Sequence, residues 1–268
     1  MILNWINPEE FSFSSFLLMD RWIVRMISTQ YAGWHEFTNN LGIALKYNPT
    51  VAWYFAQRSP ESKPSIDDMV AAAPSDLPPD EVRKAEVFVI RAMETSVVYA
   101  YPDIMQRNCD YIYDWDKNLL FELADFTDKL VLDVGSGTGR LAFAAAEKAR
   151  RVYASEPTDM LREYMRDKII RENIPNVTVV DGTVQTIPYE DDTFDIVMSG
   201  HVVGDDYDRE IAELTRVVKD GGWIIDCIGE DNLKRTVKDE LLKRGFESFY
   251  HVSKTGGDIY RYRKRVWK

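Results

Sequence analysis

The chain is poor in cysteine and histidine. Its 268 residues contain two cysteines, Cys109 and Cys227, and three histidines. Two cysteines so far apart in sequence cannot build a disulfide framework, and they exclude a multi-cysteine metal site. We therefore expect reduced thiols and no metal centre.

Long uninterrupted apolar stretches are also missing. The most apolar early stretch, residues 16–27, is interrupted by Asp20, Arg21 and Arg25, so it falls short of the ~18 clean residues that a membrane span needs. The first residues have no basic segment, and no small-residue cleavage site follows them. We expect a cytoplasmic protein that does not contact a membrane.

Positive charge is in deficit. The chain has 33 Lys and Arg against 44 Asp and Glu, a net charge of −11, and such a surface repels phosphate backbones on average. No nucleic-acid partner is therefore expected. The C-terminal stretch does alternate basic and aromatic residues, Arg261, Arg263 and Arg265 with Tyr260 and Tyr262. We interpret it as an edge strand protected against pairing, with an RNA-binding strand as the alternative.

What the chain does contain is enough apolar surface for a full core, with 45% hydrophobic and 12% aromatic residues. Residues 1–110 are typical of helices joined by proline-rich turns, with start signals at Asn7–Pro8 and Asn48–Pro49. From residue 129 short apolar runs alternate with helical stretches, and the last two runs form a hairpin. Alternation of this kind predicts parallel strands with right-handed crossovers.

The predicted fold class is α/β. We expect a Rossmann-like, mixed, seven-stranded sheet flanked by helices over residues 111–268, and an N-terminal all-helical cap over residues 1–110. Three long helices in particular are predicted, from about 8 to 28, from 80 to 100 and from 232 to 244.

A glycine-rich turn follows the first predicted strand, with Gly135, Gly137 and Gly139 directly after Asp133. Glycines here let a strand turn sharply into a helix and let a ligand touch bare backbone. A phosphate-binding P-loop needs a lysine and a hydroxyl residue after its last glycine, whereas Arg140 follows here. A dinucleotide fingerprint places its third glycine one position later, so binding of NAD is disfavoured but stays open.

Glu156 ends the second predicted strand, 17 residues beyond Gly139. A carboxylate at the tip of this strand can accept hydrogen bonds from both hydroxyls of a ribose, because its two oxygens match a vicinal diol. With the glycine turn one crossover earlier, this residue predicts a nucleoside site.

These features resemble the class I S-adenosylmethionine-dependent methyltransferase family. The resemblance rests on the segment 132–139 (LDVGSGTG), on 187–197 (IPYEDDTFDIV) before the fourth strand, and on 211–222 (IAELTRVVKDGG) before the fifth. Three ordered matches at the right separations make chance similarity improbable.

The resemblance implies that the cofactor is S-adenosyl-L-methionine and assigns roles to particular residues. Gly135 and Gly137 would let backbone approach the methionine part, Asp133 would lie near its ammonium group, and Glu156 would bind the ribose. Pro157 and Met160 would flank the adenine. The family often has an aspartate where this chain has Thr183, so Thr183 with the Val184 amide takes that role, and Asp181 is a second possible contact. The predicted cofactor-binding residues are Tyr113, Asp133, Gly135, Ser136, Gly137, Gly139, Glu156, Pro157, Met160, Asp181, Thr183, Val184 and Ser199.

The implied reaction is methyl transfer to an acceptor held over the carboxyl ends of the strands. His201 follows the fourth strand and is the candidate catalytic residue, with a packed loop histidine as the alternative. Tyr111, Tyr113 and Trp115 are candidates to cover the sulfonium, with helix packing as the alternative. Asp205 and Asp206 are expected to cap the helix that begins at residue 207.

A small molecule is the expected acceptor, and a protein side chain and a homodimer remain open. Two other functions stay open at this point. One is a non-catalytic S-adenosylmethionine-binding protein with a regulatory or assembly role, and the other is an NAD(P)-dependent oxidoreductase.

Overall fold

The computed structural model describes residues 5–29, 31, 33–109, 111–112 and 115–268. The chain divides into two compact units, Met1–Asn108 and Cys109–Lys268. None of the helices in the described part of the chain is both long and apolar enough to cross a membrane.

The first unit is helical. Its α-helices are α1 (Arg21–Thr29), α2 (His35–Tyr47), α3 (Pro49–Arg58), α4 (Lys63–Ala72), α5 (Pro79–Ala92), α6 (Glu94–Ala100) and α7 (Pro102–Asn108), with 3₁₀ turns at Pro8–Glu10, Phe13–Leu18 and Pro60–Ser62. Its core includes the fully buried rings of Phe13, Phe16, Phe37 and Phe55. The proline start signal at Pro49 is confirmed, because Asn48 can end one helix while the fixed φ of proline begins the next.

The second unit is a three-layer α/β fold. Its elements are α8 (Asn118–Phe121), β1 (Leu130–Val134), α9 (Arg140–Ala146), β2 (Arg151–Ser155), α10 (Asp159–Glu172), β3 (Val177–Val180), β4 (Phe194–Ser199), α11 (Tyr207–Val217), β5 (Val218–Asp226), α12 (Asp239–Lys243), β6 (Glu247–Val252) and β7 (Asp258–Arg265). The strand order is β3-β2-β1-β4-β5-β7-β6. The first five strands are parallel, and β7 runs antiparallel to both of its neighbours. The predicted α/β class and the mixed seven-stranded sheet are confirmed.

Alternate residues of the central strands enter different cores, which is why these strands read as continuous apolar runs. Val131 packs with Ile196 and Ile225 on one face of the sheet. Leu132 packs with Val197 and Ile224 on the other face. Asp133 therefore shares its face with Val131, at the carboxyl end of β1.

All three long helices are wrong as predicted. The first breaks because Ser12 caps a separate 3₁₀ turn and Met19 is extended, and the second is interrupted at Met93. Residues 232–238 are not helical. Asp231 accepts from the Leu233 amide at 2.9 Å and pairs with Arg235, so side chains hold this stretch in a loop.

The prediction that the basic C-terminal strand is a protected edge strand is also wrong. β7 lies between β5 and β6 and is not an edge strand. Its arginines are used inside the unit: Arg261 pairs with Glu122 at 2.9 Å and Arg263 with Glu247 at 2.8 Å. The alternation therefore places ion-paired arginines on one face of an interior strand and the packed rings of Tyr260 and Tyr262 on the other.

Gly42 provides a test of the helical unit. A Cβ on this residue of α2 would lie 2.5 Å from the Met69 carbonyl oxygen of α4, and backbone cannot yield as a side chain can. Gly42→Ala is therefore expected to lower the free energy of unfolding by about 1–3 kcal/mol, opposite to the gain of about 1 kcal/mol that helix propensity alone predicts. Urea denaturation beside Asn39→Ala, an exposed position of the same helix, checks this. A Gly42→Ala protein more stable than the parent would contradict the close approach.

Candidate functional site

The candidate site lies at the carboxyl ends of the parallel strands, where the strand order changes direction at β1. Chain connectivity runs from β1 outward to β2 and β3 on one side, and to β4 and β5 on the other. At such a switch point the loops that follow β1 and β4 separate, which leaves a crevice for a ligand.

The glycine turn between β1 and α9 is tied down on one side by the end of β2. The Gly135 and Ser136 amides donate to the Ser155 carbonyl oxygen at 2.8 and 3.0 Å. The Ser136 hydroxyl also donates to the Asp133 carbonyl oxygen at 3.0 Å. The predicted turn is thus fixed in position against the end of β2.

The three glycines of this turn all have positive φ, at 68°, 59° and 88°, but different surroundings. A Cβ on Gly135 would lie 2.4 Å from Val202 Cγ2, and one on Gly139 would lie 2.3 Å from the Phe143 ring. Nothing lies within 4 Å of the corresponding position at Gly137. Gly135 and Gly139 are therefore needed for internal packing, and Gly137 alone of the three leaves space that a ligand can enter.

Glu156 lies directly behind Gly137. Its Oε2 accepts from the Gly137 amide and its Oε1 from the Thr158 amide, each at 2.9 Å. Burial raises the pKa of this carboxyl, and the two amides oppose that shift. Each carboxylate oxygen has a second acceptor position, so the side chain can still accept two hydroxyls from a bound sugar.

Asp133 is buried, and neither of its carboxylate oxygens has a hydrogen-bond partner among the described residues. Burial raises its pKa to about 7, against the weaker opposing influence of Ser136 and the Arg140 charge. A carboxylate left in this state has strong affinity for a cation that enters with its own hydrogen-bond donors.

The raised pKa of Asp133 predicts a pH dependence of stability. Because the folded-state pKa lies above the unfolded value of 3.8, the native protein holds an extra proton between about pH 4 and pH 7 and loses stability as the pH rises through that range. Relative to an Asp133→Asn variant, the ligand-free wild type should become less stable by about 1–4 kcal/mol between pH 5 and pH 8. Urea unfolding of both proteins across this range measures the difference. A difference that does not change with pH would contradict the assignment.

Unpartnered buried polar atoms concentrate at this edge of the sheet. Of the eight buried side-chain atoms without a hydrogen-bond partner in the described part of the chain, five belong to Asp133, Thr138, Arg140 and Ser155. These four residues lie in or next to the glycine turn, or at the carboxyl ends of β1 and β2. A sixth atom, Asp226 Oδ2 at the end of β5, forms an ion pair with Lys238 at 3.5 Å. Buried polar groups normally find partners, so the concentration fits a site whose remaining partners come from a polar ligand.

His201, the predicted catalytic residue, contacts loop backbone and an aromatic ring. Its Nε2 accepts from the Gly229 amide at 3.1 Å, and the Tyr111 ring packs against it with centroids 5.0 Å apart. Desolvation by the surrounding protein and then the charges of Arg140 and Arg235 lower the pKa of His201, although the residue as a whole is exposed to solvent. The ring is a neutral hydrogen-bond acceptor whose basic nitrogen is already occupied.

Replacement of His201 by alanine is therefore expected to act on stability and not on chemistry. Loss of the acceptor for the Gly229 amide should cost about 1–2 kcal/mol in urea denaturation. The kcat on any acceptor that the wild type methylates should stay within about threefold. A drop of about 100-fold or more in kcat, with cofactor affinity unchanged, would instead establish His201 as a general base.

The residues predicted for the adenine surround the start of α10 and the loop after β3. Pro157 and Met160 are half-buried beside Glu156, and Thr183 is exposed. Val184 is buried and packs in the core with Leu132, so only its backbone faces the predicted site. These assignments stay predictions.

Asp181 is held by a buried arginine that sequence reasoning missed. Arg162 of α10 donates to the Glu156 carbonyl oxygen at 2.6 Å and pairs with Asp181 at 3.2 Å. It also pairs with Asp159. Arg162 therefore fixes both the backbone behind Glu156 and the position of Asp181, and no motif in the sequence marks it.

Ser199 lies at the carboxyl end of β4. The Ser199 hydroxyl points to Asp226, 3.5 Å away, on the opposite face of the sheet from Asp133. Tyr113 lies outside the described residues. Its neighbour Trp115 stacks on the Arg140 guanidinium, with 4.6 Å from Cζ to the ring centroid.

The Asp206 side chain accepts a hydrogen bond from the Arg209 amide at 3.2 Å, which confirms the predicted cap of α11.

Residues 131–222 match a family model described as a methyltransferase domain. A demethylmenaquinone methyltransferase from Thermobifida fusca is 30% identical over 115 residues, 42% of this chain and 49% of that protein. An uncharacterized methyltransferase from Anoxybacillus flavithermus is 25% identical over 118 residues, 42% of this chain and 53% of that protein. The chain thus spans about half the length of these curated relatives.

A solved structure supports the same fold. A SAM-dependent methyltransferase from Aquifex aeolicus aligns with 63% of this chain and 98% of its own, at 18% identity and a TM-score of 0.51. With the strand order, this shows that the Cys109–Lys268 unit has the fold of S-adenosylmethionine-dependent methyltransferases, and the family match shows a methyltransferase domain at residues 131–222. The cofactor of that family is S-adenosyl-L-methionine.

Proposed function

We propose that the protein binds S-adenosylmethionine at the glycine turn and transfers its methyl group to a small-molecule acceptor. The observation that carries this proposal is the open backbone at Gly137 beside Glu156, within the concentration of unpartnered buried polar atoms. The methyltransferase-domain match supports it, and the comparisons favour neither the oxidoreductase nor the non-catalytic alternative.

The residues present fit such a ligand. Glu156 has two acceptor positions for the ribose hydroxyls, Asp133 offers an unpartnered carboxylate to an ammonium group, and Gly137 offers bare backbone. Pro157 and Met160 provide apolar contact for the base, with Asp181, Thr183 and the Val184 amide at its polar edge.

When bound, S-adenosylmethionine supplies a methyl group already activated by the positive sulfur. The chain needs only to orient the groups and exclude water, and good positioning can contribute about 7–11 kcal/mol. Because the Nε2 of His201 is occupied, we propose no general base at that residue. The proton of a protonated nucleophile then passes to solvent, either before the transfer or from the methylated product after it.

The acceptor is a small molecule in this proposal because several curated relatives are named demethylmenaquinone methyltransferases. A reduced naphthoquinone lacking its ring methyl group is therefore the first acceptor to test. We propose that the Met1–Asn108 unit contributes to acceptor binding and that the protein acts in the cytoplasm.

Two measurements test the proposal. In calorimetric titrations S-adenosylmethionine and S-adenosylhomocysteine should bind, and NAD(H) should not. With labelled S-adenosylmethionine and a panel of reduced quinones, phenols and amines, label should pass to an acceptor only when both are present. Binding of NAD(H) alone would establish the oxidoreductase. Tight cofactor binding without turnover on a broad panel that includes proteins would favour the non-catalytic protein.

A further inference from the structure

Arg140, the first residue of α9, is a second charged group at the glycine turn to which no role has been given so far. Its Nη2 donates to the Cys227 carbonyl oxygen at 2.6 Å. Its guanidinium lies over the Trp115 ring, 4.6 Å from the centroid. A hydrogen bond on one side and an aromatic face on another hold the group in one orientation.

The other terminal nitrogen of this guanidinium is unsatisfied. Nη1 is buried and has no hydrogen-bond partner among the described residues. A buried guanidinium nitrogen without an acceptor is costly. The position therefore calls for an anionic or carbonyl oxygen from a ligand.

Asp133 is the complementary group, with two unpartnered oxygens. The Arg140 charge is near enough to lower the pKa of Asp133, but the two side chains form no ion pair with each other. A buried carboxyl and a half-buried guanidinium thus stand at the carboxyl end of β1, and three of their atoms, Asp133 Oδ1 and Oδ2 and Arg140 Nη1, lack a hydrogen-bond partner. A zwitterion with an ammonium and a carboxylate group satisfies both.

We propose that Arg140 binds the α-carboxylate of the amino-acid part of the nucleoside cofactor through Nη1, while Asp133 receives its ammonium group. This assignment rests on the proposed function. Arginine suits the role because its planar donors match a carboxylate and its charge does not titrate. A carboxylate on the acceptor has the same chemistry, and the experiment separates the two sources.

The test compares two ligands that differ only in the carboxylate, S-adenosylhomocysteine and its decarboxylated analogue, by calorimetry on the full chain. Arg140→Met keeps the length of the side chain and removes its charge. We expect about 10- to 100-fold weaker binding of S-adenosylhomocysteine to this variant, and affinity for the decarboxylated analogue within about threefold of the wild type. Arg140→Lys should recover part of the loss. Arg150→Met, at an exposed arginine before β2, is the matched control and should change neither affinity.

Three results would overturn the assignment. Equal weakening of both ligands by Arg140→Met would show that Arg140 only shapes the loop. Unchanged binding of both ligands together with a raised KM for a carboxylate-bearing acceptor would place the carboxylate on the acceptor. If the wild type bound neither nucleoside, the proposed function would fall, and this inference with it. Retained binding of the decarboxylated analogue shows in the same experiment that the variant is folded.

Discussion

A Glu156→Ala protein is expected to bind S-adenosylhomocysteine at least 100-fold more weakly than the wild type. The substitution removes a charged acceptor for two ribose hydroxyls, and hydrogen bonds to charged groups contribute about 1.5–3 kcal/mol each. It also removes the acceptor of the Gly137 and Thr158 amides at 2.9 Å, so the open loop loses its fixed position. Calorimetry with S-adenosylhomocysteine measures the effect.

Two variants make this result specific. Glu156→Gln keeps the size of the side chain and one carbonyl acceptor, so its affinity for S-adenosylhomocysteine should lie between those of the wild type and Glu156→Ala. Glu163→Ala removes the same charge from the exposed face of α10, where Glu163 pairs with Arg166, and should leave affinity unchanged. A correctly folded Glu156→Ala protein that binds as tightly as the parent would remove the basis of the proposed site.

The second large effect is a contrast between two glycines of one turn. Gly137→Ala adds a methyl group to the open space beside Glu156, so it should block the ligand and lower affinity for S-adenosylhomocysteine by about 30-fold or more. Gly137→Ala should lower the free energy of unfolding by only ~1 kcal/mol, the cost of an alanine in the left-handed backbone region. Gly256→Ala has the same kind of backbone, φ 87°, and equally open surroundings in the terminal hairpin. It should cost the same stability and leave affinity unchanged.

Gly135→Ala should mainly lower the stability of the fold, whereas Gly137→Ala should mainly lower affinity for the ligand. Its Cβ would lie 2.4 Å from Val202 Cγ2 at a backbone φ of 68°, so strain and a clash add up to about 2–4 kcal/mol of lost stability. Urea denaturation of the glycine variants separates the two effects. If Gly137→Ala cost more stability than Gly135→Ala, the distinction between the packing glycine and the ligand-facing glycine would be wrong.

The sheet of the second unit could be predicted from the sequence because its signals are local. Val131 and Leu132 enter different cores, so β1 reads as one apolar run. The glycine turn and Glu156 are likewise marked by residue type and spacing. Their close approach, through the Gly137 amide, follows from the parallel pairing of β1 with β2.

The errors fall where contacts from distant residues override the local pattern. Residues 232–238 have a helical pattern, but two side chains bind backbone amides in this stretch. Asp231 accepts a hydrogen bond from the Leu233 amide, and the Tyr262 hydroxyl accepts one from the Lys238 amide at 2.7 Å. β7 carries the charges of an edge strand, but it lies inside the sheet, and Arg261 and Arg263 pair with Glu122 and Glu247. No local signal marks the contact of Val202 with Gly135 or the orphaned nitrogen of Arg140, because both depend on loops that meet only after folding.

The central claim is that the carboxyl edge beside Gly137 holds an amino-acid-bearing adenosine. A crystal structure of the protein with S-adenosylhomocysteine tests it most directly. The account predicts both ribose hydroxyls on the Glu156 carboxylate, with the sugar in the space over Gly137 and the ammonium group on Asp133. Density for the nucleoside anywhere else on the protein, with Glu156 still bound only to the Gly137 and Thr158 amides, would contradict it.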